Sequence, residues 1–151
     1  MSITEQLYNH CLEYVRSRIV AAEDAILDAQ LSANEETKSS AGDKYETGRA
    51  MAQLEIEKNT VQLNESRKLL NALEQIQQPK GSASRKIQIG SVAVTNQGNY
   101  YVAISAGKFL VNRVEYFAIS PAAPIGKLLI GCLKGDRFDF NGRKFVVEDV
   151  F

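Results

Sequence analysis

Two carboxylates three residues apart, Asp43 and Glu46, stand in the stretch SSAGDKYETGRA, residues 39–50, between two long polar–apolar periodic segments. On a helix, side chains at i and i+3 lie about 5–6 Å apart at Cβ, so this pair can converge on one hard divalent ion. Mg²⁺ accepts one or two protein carboxylates while keeping several waters. Two ligands are too few for a tight site, so a metal held here needs a second protein that already carries it. The same spacing has a purely structural use. Asp is a favoured N-cap and a Glu three residues on completes a capping box. Negative charge in a first turn also complements the helix dipole. Spacing alone leaves both readings open.

Other chemistry finds less support. His10 is the single histidine and sits in a charged helical segment, where a lone imidazole reads as a packing or surface group. Cys11 and Cys132 show no ligand spacing and read as small core residues of a reduced, cytoplasmic protein. No glycine-rich phosphate loop and no Cys/His metal cluster is present in the sequence. Arg85, Lys86, Tyr100, Tyr101, Lys108 and Arg113 mix cations with aromatics, as a nucleic-acid surface does. Core aromatics with solvated cations produce the same pattern.

The elements that must position Asp43 and Glu46 follow from periodicity. Leu7, Cys11, Val15, Ile19, Ala22, Ile26 and Ala29 recur at spacings of three and four, one face of a helix. Met51, Leu54, Val61, Leu69, Leu73 and Ile76 predict a second seam, with Lys58 and Glu65 on or near it. Residues 3–77 contain no proline and two glycines, Gly42 and Gly48. A short connection rich in Ser, Asn, Thr and Gly separates the two segments, which makes them antiparallel. Residues 1–77 therefore read as an antiparallel two-helix coiled coil with an acidic tip near 35–46.

Composition changes at residue 78. QQPKGSASRK is linker-like, placed at 78–85. From 86 to 151, alternating β-branched and aromatic runs (IQIGSVAVT, YYVAIS, KFLV, EYFAIS, FVVEDVF) predict strands. Turns are expected at Asn96–Asn99, at Gly107 and at Asn141-Gly142, a strong hairpin signal. APIGKLLIGC predicts one short helix entered at Pro124 and ended near Gly131. The fold class is α+β.

Charge follows the same division. Residues 1–77 carry 8 Lys/Arg against 13 Asp/Glu, a net of −5, and residues 78–151 carry 10 against 5, a net of +5. Hydrophobic residues make up 44% and charged residues 24%, a soluble globular composition. The apolar runs fall short of a membrane span, and the N-terminus lacks the pattern of a secretion signal.

These residues resemble the bacterial Gre transcript-cleavage factors, which join a two-helix coiled coil to a small FKBP-like antiparallel β domain with one short helix. Gly42, Asp43 and Glu46 match the family's Gly-Asp-x-x-Glu tip. ISPAAPIGKLLIGCLKGD, residues 119–136, is similar to the family's C-terminal pattern, with Ile119, Ser120, Pro124, Gly126, Lys127, Gly131, Gly135 and Asp136 in register. The resemblance implies a transcription elongation factor without an active site of its own, and no cofactor of its own. Its coiled coil would enter the RNA polymerase secondary channel. There Asp43 and Glu46 would share a Mg²⁺ with the polymerase and stimulate cleavage of backtracked RNA, because two metals both activate a nucleophile and neutralise phosphate charge. Lys38, Lys44 and Arg49 are the RNA-contact candidates. Ser120, Ala122, Ala123 and Pro124 are the docking candidates at the channel rim.

The expected partners are RNA polymerase and the nascent RNA 3′ end, with no membrane and no small-molecule substrate. The sequence departs from the family in three places. Arg49 stands where an acid is usual, Ala122-Ala123 stand where polar docking residues are usual, and the family's Pro-Met-Thr start with its downstream glycine is absent. The alternative is therefore a secondary-channel-binding regulator or inhibitor that stimulates no cleavage. A peptidyl-prolyl isomerase, also suggested by an FKBP-like unit, needs a deep aromatic pocket. The chain has no Trp and spends its aromatics at strand spacing.

Overall fold

The computed structural model describes the backbone of residues 1–38, 42–76 and 86–151, and the side chains of residues 1–35, 46–76 and 86–151. Two long helices come first, α1 (Ile3–Lys38) and α2 (Gly42–Glu74). Six strands and one short helix follow: β1 (Val92–Thr95), β2 (Gly98–Val102), β3 (Gly107–Val111), β4 (Val114–Ile119), α3 (Pro124–Leu129), β5 (Arg137–Phe140) and β6 (Arg143–Val150). The expected linker at 78–85 lies outside the described residues. The chain packs as two compact units, Val15–Leu70, and Met1–Tyr14 together with Asn71–Phe151.

Helix α1 opens with a reciprocal cap. The Ser2 amide donates to Glu5 Oε2 at 2.9 Å and the Glu5 amide donates to Ser2 Oγ at 3.2 Å, satisfying donors that a helix start leaves unpaired. Its expected apolar stripe is the buried one: Leu7, Cys11, Val15, Ala22 and Ala29 are buried, with Ile19 and Ile26 half-buried.

The expected seam of α2 holds only in its second half, where Leu73 is buried and Leu69 and Ile76 are half-buried. Met51, Leu54 and Val61 are 64%, 64% and 59% exposed, whereas Ala52, Leu63, Ser66 and Leu73 are buried and Ile56, Asn59 and Leu70 half-buried. That set also steps by three and four. Val15–Leu70 is one compact unit, and among its described residues the buried positions lie on these two helices. Alanine, asparagine and serine take part in the α2 stripe, so hydrophobicity alone does not mark it.

The sheet has the order β3-β4-β2-β1-β6-β5. Every neighbouring pair is antiparallel except β2 and β4, which run parallel because the β3–β4 hairpin folds back beside β2. Alternation gives the sheet two faces. One carries Val92, Tyr101, Phe109 and Tyr116, and receives the foot of α1: His10 stacks on Phe109 with ring centroids 5.2 Å apart and planes 15° from parallel. The other carries Ala93, Val102, Val147 and Val150, which form one core with Ile87 and Leu129 of α3. The β1–β6 register slips between Val94 and Thr95, which puts Val147 and Val150 on the same side of β6 despite their odd spacing.

Candidate functional site

The break between helices falls where the acidic motif lies. Helix α1 ends at Lys38 and α2 begins at Gly42, so Asp43 and Glu46 occupy the first turn and a quarter of α2. Glu46 is exposed. Arg49, one residue short of a further turn, is exposed as well, and Gly48 is carried within the helix. The side chains of Lys38, Asp43 and Lys44 lie outside the described residues, and so does the expected cap between Asp43 and Glu46. Among the described residues, no group of three or more His, Cys, Asp or Glu side chains gathers where a metal could be held.

The second motif, residues 119–136, builds the support of α3. Ser120 Oγ accepts the Ala122 amide at 3.1 Å, and the Ser120 carbonyl accepts the Ala123 amide at 3.1 Å. Ala123 is extended (φ −63, ψ 151), and Pro124 opens the helix, where its missing N–H costs nothing. Gly126 lies directly under this turn. A Cβ there would collide with the Ser120 carbonyl oxygen and sit 3.1 Å from Pro121 Cα. After α3, Gly131 adopts φ 87 and its amide donates to the Ile87 carbonyl at 2.8 Å. Asp136 Oδ2 accepts the Leu133 amide at 2.8 Å, closing the next turn, where Gly135 adopts φ 95.

The docking candidates are thus assembled on one turn. Ser120 is half-buried with its hydroxyl occupied locally, Ala123 is half-buried, and Ala122 and Pro124 are exposed. Sequence reasoning did not single out the apolar surroundings of this turn, where Leu128, Ile130 and Leu133 are also exposed. The signal was available in the KLLIGCL run, which has more aliphatic residues than one short helix can bury.

The mixed cation–aromatic set divides. Tyr101 is fully buried on the face beneath α1, and its hydroxyl has no hydrogen-bond partner among the described residues. Burial pushes its pKa up, with Cys11 and then Tyr8 adding to the shift. The Cys11 thiol, buried beside it, is pushed up to about 12 by burial. Neither group is poised as a nucleophile, because the reactive thiolate or phenolate is the form that burial disfavours. Tyr100 lies on the opposite face, and Lys108 pairs with Glu115 at 3.3 Å. Arg113 sits in the β3–β4 turn at φ 67, and Arg85 lies outside the described residues. No helix among the described residues is long and apolar enough to cross a membrane.

No family model and no curated protein sequence matches the chain. Among solved structures, it is similar to that of the transcription factor Gfh1, with a TM-score of 0.35 and 20% identity over 91% of this chain and 91% of that chain. A likeness of that degree assigns no activity.

Proposed function

We propose that this chain is a Gre-like transcription elongation factor. In this reading the helical hairpin enters the secondary channel of RNA polymerase, and Asp43 and Glu46 assist the polymerase in cleaving backtracked RNA. The observation that carries the reading is the location of Gly42-Asp43-x-x-Glu46 at the start of α2, with Glu46 exposed. An acidic pair at a hairpin turn, rather than along a seam, is available to another molecule's metal. Two carboxylates fit a shared Mg²⁺ and not a private one, since the remaining ligands must come from elsewhere. When bound, the ion would supply charge neutralisation and an activated water. The task of this chain is to bring the two carboxylates within reach. The turn at Ser120–Pro124, with its exposed apolar neighbours, is the docking surface in this reading, and RNA polymerase is the partner.

The alternative, a channel-binding regulator without cleavage activity, draws on Arg49. An exposed cation one turn from Glu46 reduces the negative potential that a metal-sharing tip needs. The experiment uses backtracked elongation complexes of the cognate RNA polymerase at limiting Mg²⁺, following the RNA 3′ end with wild-type protein and with Asp43→Asn/Glu46→Gln. Cleavage by the wild type alone supports the proposal. If neither protein promotes cleavage while both bind or slow the polymerase, the regulator reading replaces it.

A further inference from the structure

We propose that the sheet face carrying Tyr100, Phe117, Phe138 and Phe140, flanked by Lys108 and Arg143, binds single-stranded nucleic acid by base stacking. The registers place these residues together. Tyr100 is opposite Phe117 across β2 and β4, Phe138 is opposite Phe145 across β5 and β6, and Phe140 is opposite Arg143. The rings form a continuous row. Tyr100 lies 5.8 Å from Phe117 and 6.4 Å from Phe145, which in turn lies 5.1 Å from Phe138 and 6.1 Å from Phe140.

Helix α3 covers only part of this face. Phe117 remains 38% exposed and Leu110, beside it on the edge strand, 62% exposed, while Tyr100, Phe138 and Phe140 are half-buried. Phe145, in the middle of the row, is buried, with Phe138 stacked on it, and Tyr100 and Phe138 also pack on the core. The ring surface open to a base is therefore that of Phe117 at one end and half-buried Phe140 at the other. Exposed aromatic rings of this kind are what a sequence-tolerant base platform uses.

Charge selects the occupant. The row is bounded by cations at both ends, Lys108 near the β3 edge and Arg143 near the β5 edge. Arg143 is close enough to the Tyr100 phenol to oppose the effect of burial on it. The one acid on this face by register, Glu115, is paired with Lys108, and both side chains are about half exposed (55% and 52%). An exposed pair of this kind is weak and yields to a competing phosphate. Asp139 pairs with Lys144 in register and falls on the other face. With residues 78–151 at a net of +5, the surface suits a polyanion that also carries flat apolar groups. An apolar peptide would satisfy the rings and offer Arg143 no counter-charge. This surface shares no residue with the acidic motif, and the inference stands or falls apart from the cleavage reading.

The test is fluorescence anisotropy of the full chain with labelled oligouridylate and oligothymidylate over a salt series, with inorganic polyphosphate as a base-free competitor. Binding of either strand that weakens with salt and resists polyphosphate is expected. Phe117→Leu and Phe140→Leu, which keep an apolar side chain, should each weaken binding about tenfold. Lys108→Gln/Arg143→Gln should flatten the salt dependence. Far-UV circular dichroism establishes that each variant is folded, and the charge variant is informative even if a ring variant is not. Displacement by polyphosphate as effective as by unlabelled strand overturns the proposal. So does unchanged binding in the sheet variants when Lys44→Gln/Arg49→Gln abolishes it.

Discussion

Gly126→Ala tests whether the 119–136 motif is a packing device. The added methyl meets backbone, not a side chain that can rotate away: the Ser120 carbonyl oxygen first, then Pro121 Cα at 3.1 Å and the Pro121 carbonyl carbon at 3.2 Å. Relief requires α3 to lift off the Ser120–Ala123 turn. That strains the Ala123-to-Ser120 hydrogen bond of 3.1 Å and draws Leu129, fully buried in the core beneath, out of place. Overpacking of this kind costs about 1–3 kcal/mol and a weakened hydrogen bond about 1 kcal/mol. Alanine's better helix propensity returns about 1 kcal/mol. The net expectation is a loss of about 1–3 kcal/mol. Urea unfolding followed by tyrosine fluorescence reads it, since the chain has no tryptophan to mask the signal. Gly131→Ala is the control, because no atom lies within 4 Å of its added Cβ and only the φ of 87 is strained, an effect of about 1 kcal/mol. A Gly126→Ala protein within about 0.5 kcal/mol of wild type, or no worse than Gly131→Ala, would refute the reasoning.

Three further outcomes are expected. Leu63→Ala should destabilise the hairpin by about 2–3 kcal/mol and Leu54→Ala by less than about 0.5 kcal/mol, read by thermal melting in circular dichroism; the reverse order would restore the face expected from sequence. Tyr101→Phe should raise stability by about 1 kcal/mol, because it removes a buried hydroxyl that lacks a partner, and a loss of that size would reveal a bond to that oxygen. Cys11 gives the chain an alkaline limit. The thiol stays protonated in the folded chain up to about 12 while the unfolded chain releases its proton from 9.0, so the unfolded state binds fewer protons in that window and stability falls as pH rises through it. Cys11→Ala should flatten the fall by about 1.4 kcal/mol per pH unit, compared as slopes in urea unfolding at successive pH values; an unchanged slope assigns the alkaline loss to other groups.

What was legible in the sequence depended on how much of a pattern hydrophobicity alone could carry. The α1 stripe was read correctly because large aliphatic residues mark its buried face. The α2 stripe was read correctly at Leu73 and misread in its first half, where Ala52 and Asn59 share the buried face with Ile56 and Leu63 while the bulkier Met51, Leu54 and Val61 are exposed. Small and polar side chains at buried positions are scored as neutral by a hydrophobicity pattern. The strands and the Asn141-Gly142 hairpin followed from alternation and turn chemistry. The Asn112-Arg113 turn did not, since both residues take positive φ (52 and 67) without a glycine to announce it. The parallel β2–β4 pairing was equally hidden, because it joins segments that no local turn links. At the site, the start of α2 at the acidic motif was legible. The hydroxyl of Ser120 turned onto its own backbone, and the closed space over Gly126, needed coordinates.

Strand β1 forms its two ladders on very different timescales. One side pairs with β2, whose first partner is three residues away, and the other pairs with β6, where Asp149 lies 55 residues after Val94. Contacts that distant are slow to form, whereas two adjacent helices find each other locally. A growing or refolding chain therefore completes Val15–Leu70 well before the sheet. Leu7 and Cys11, at the beginning of α1 and fully buried once the sheet unit is complete, emerge from the ribosome ahead of the strands that cover them. Their interval of exposure is set by the arrival of β6, which makes the foot of α1 the place where a chaperone, or a second unfinished chain, has the longest opportunity to bind.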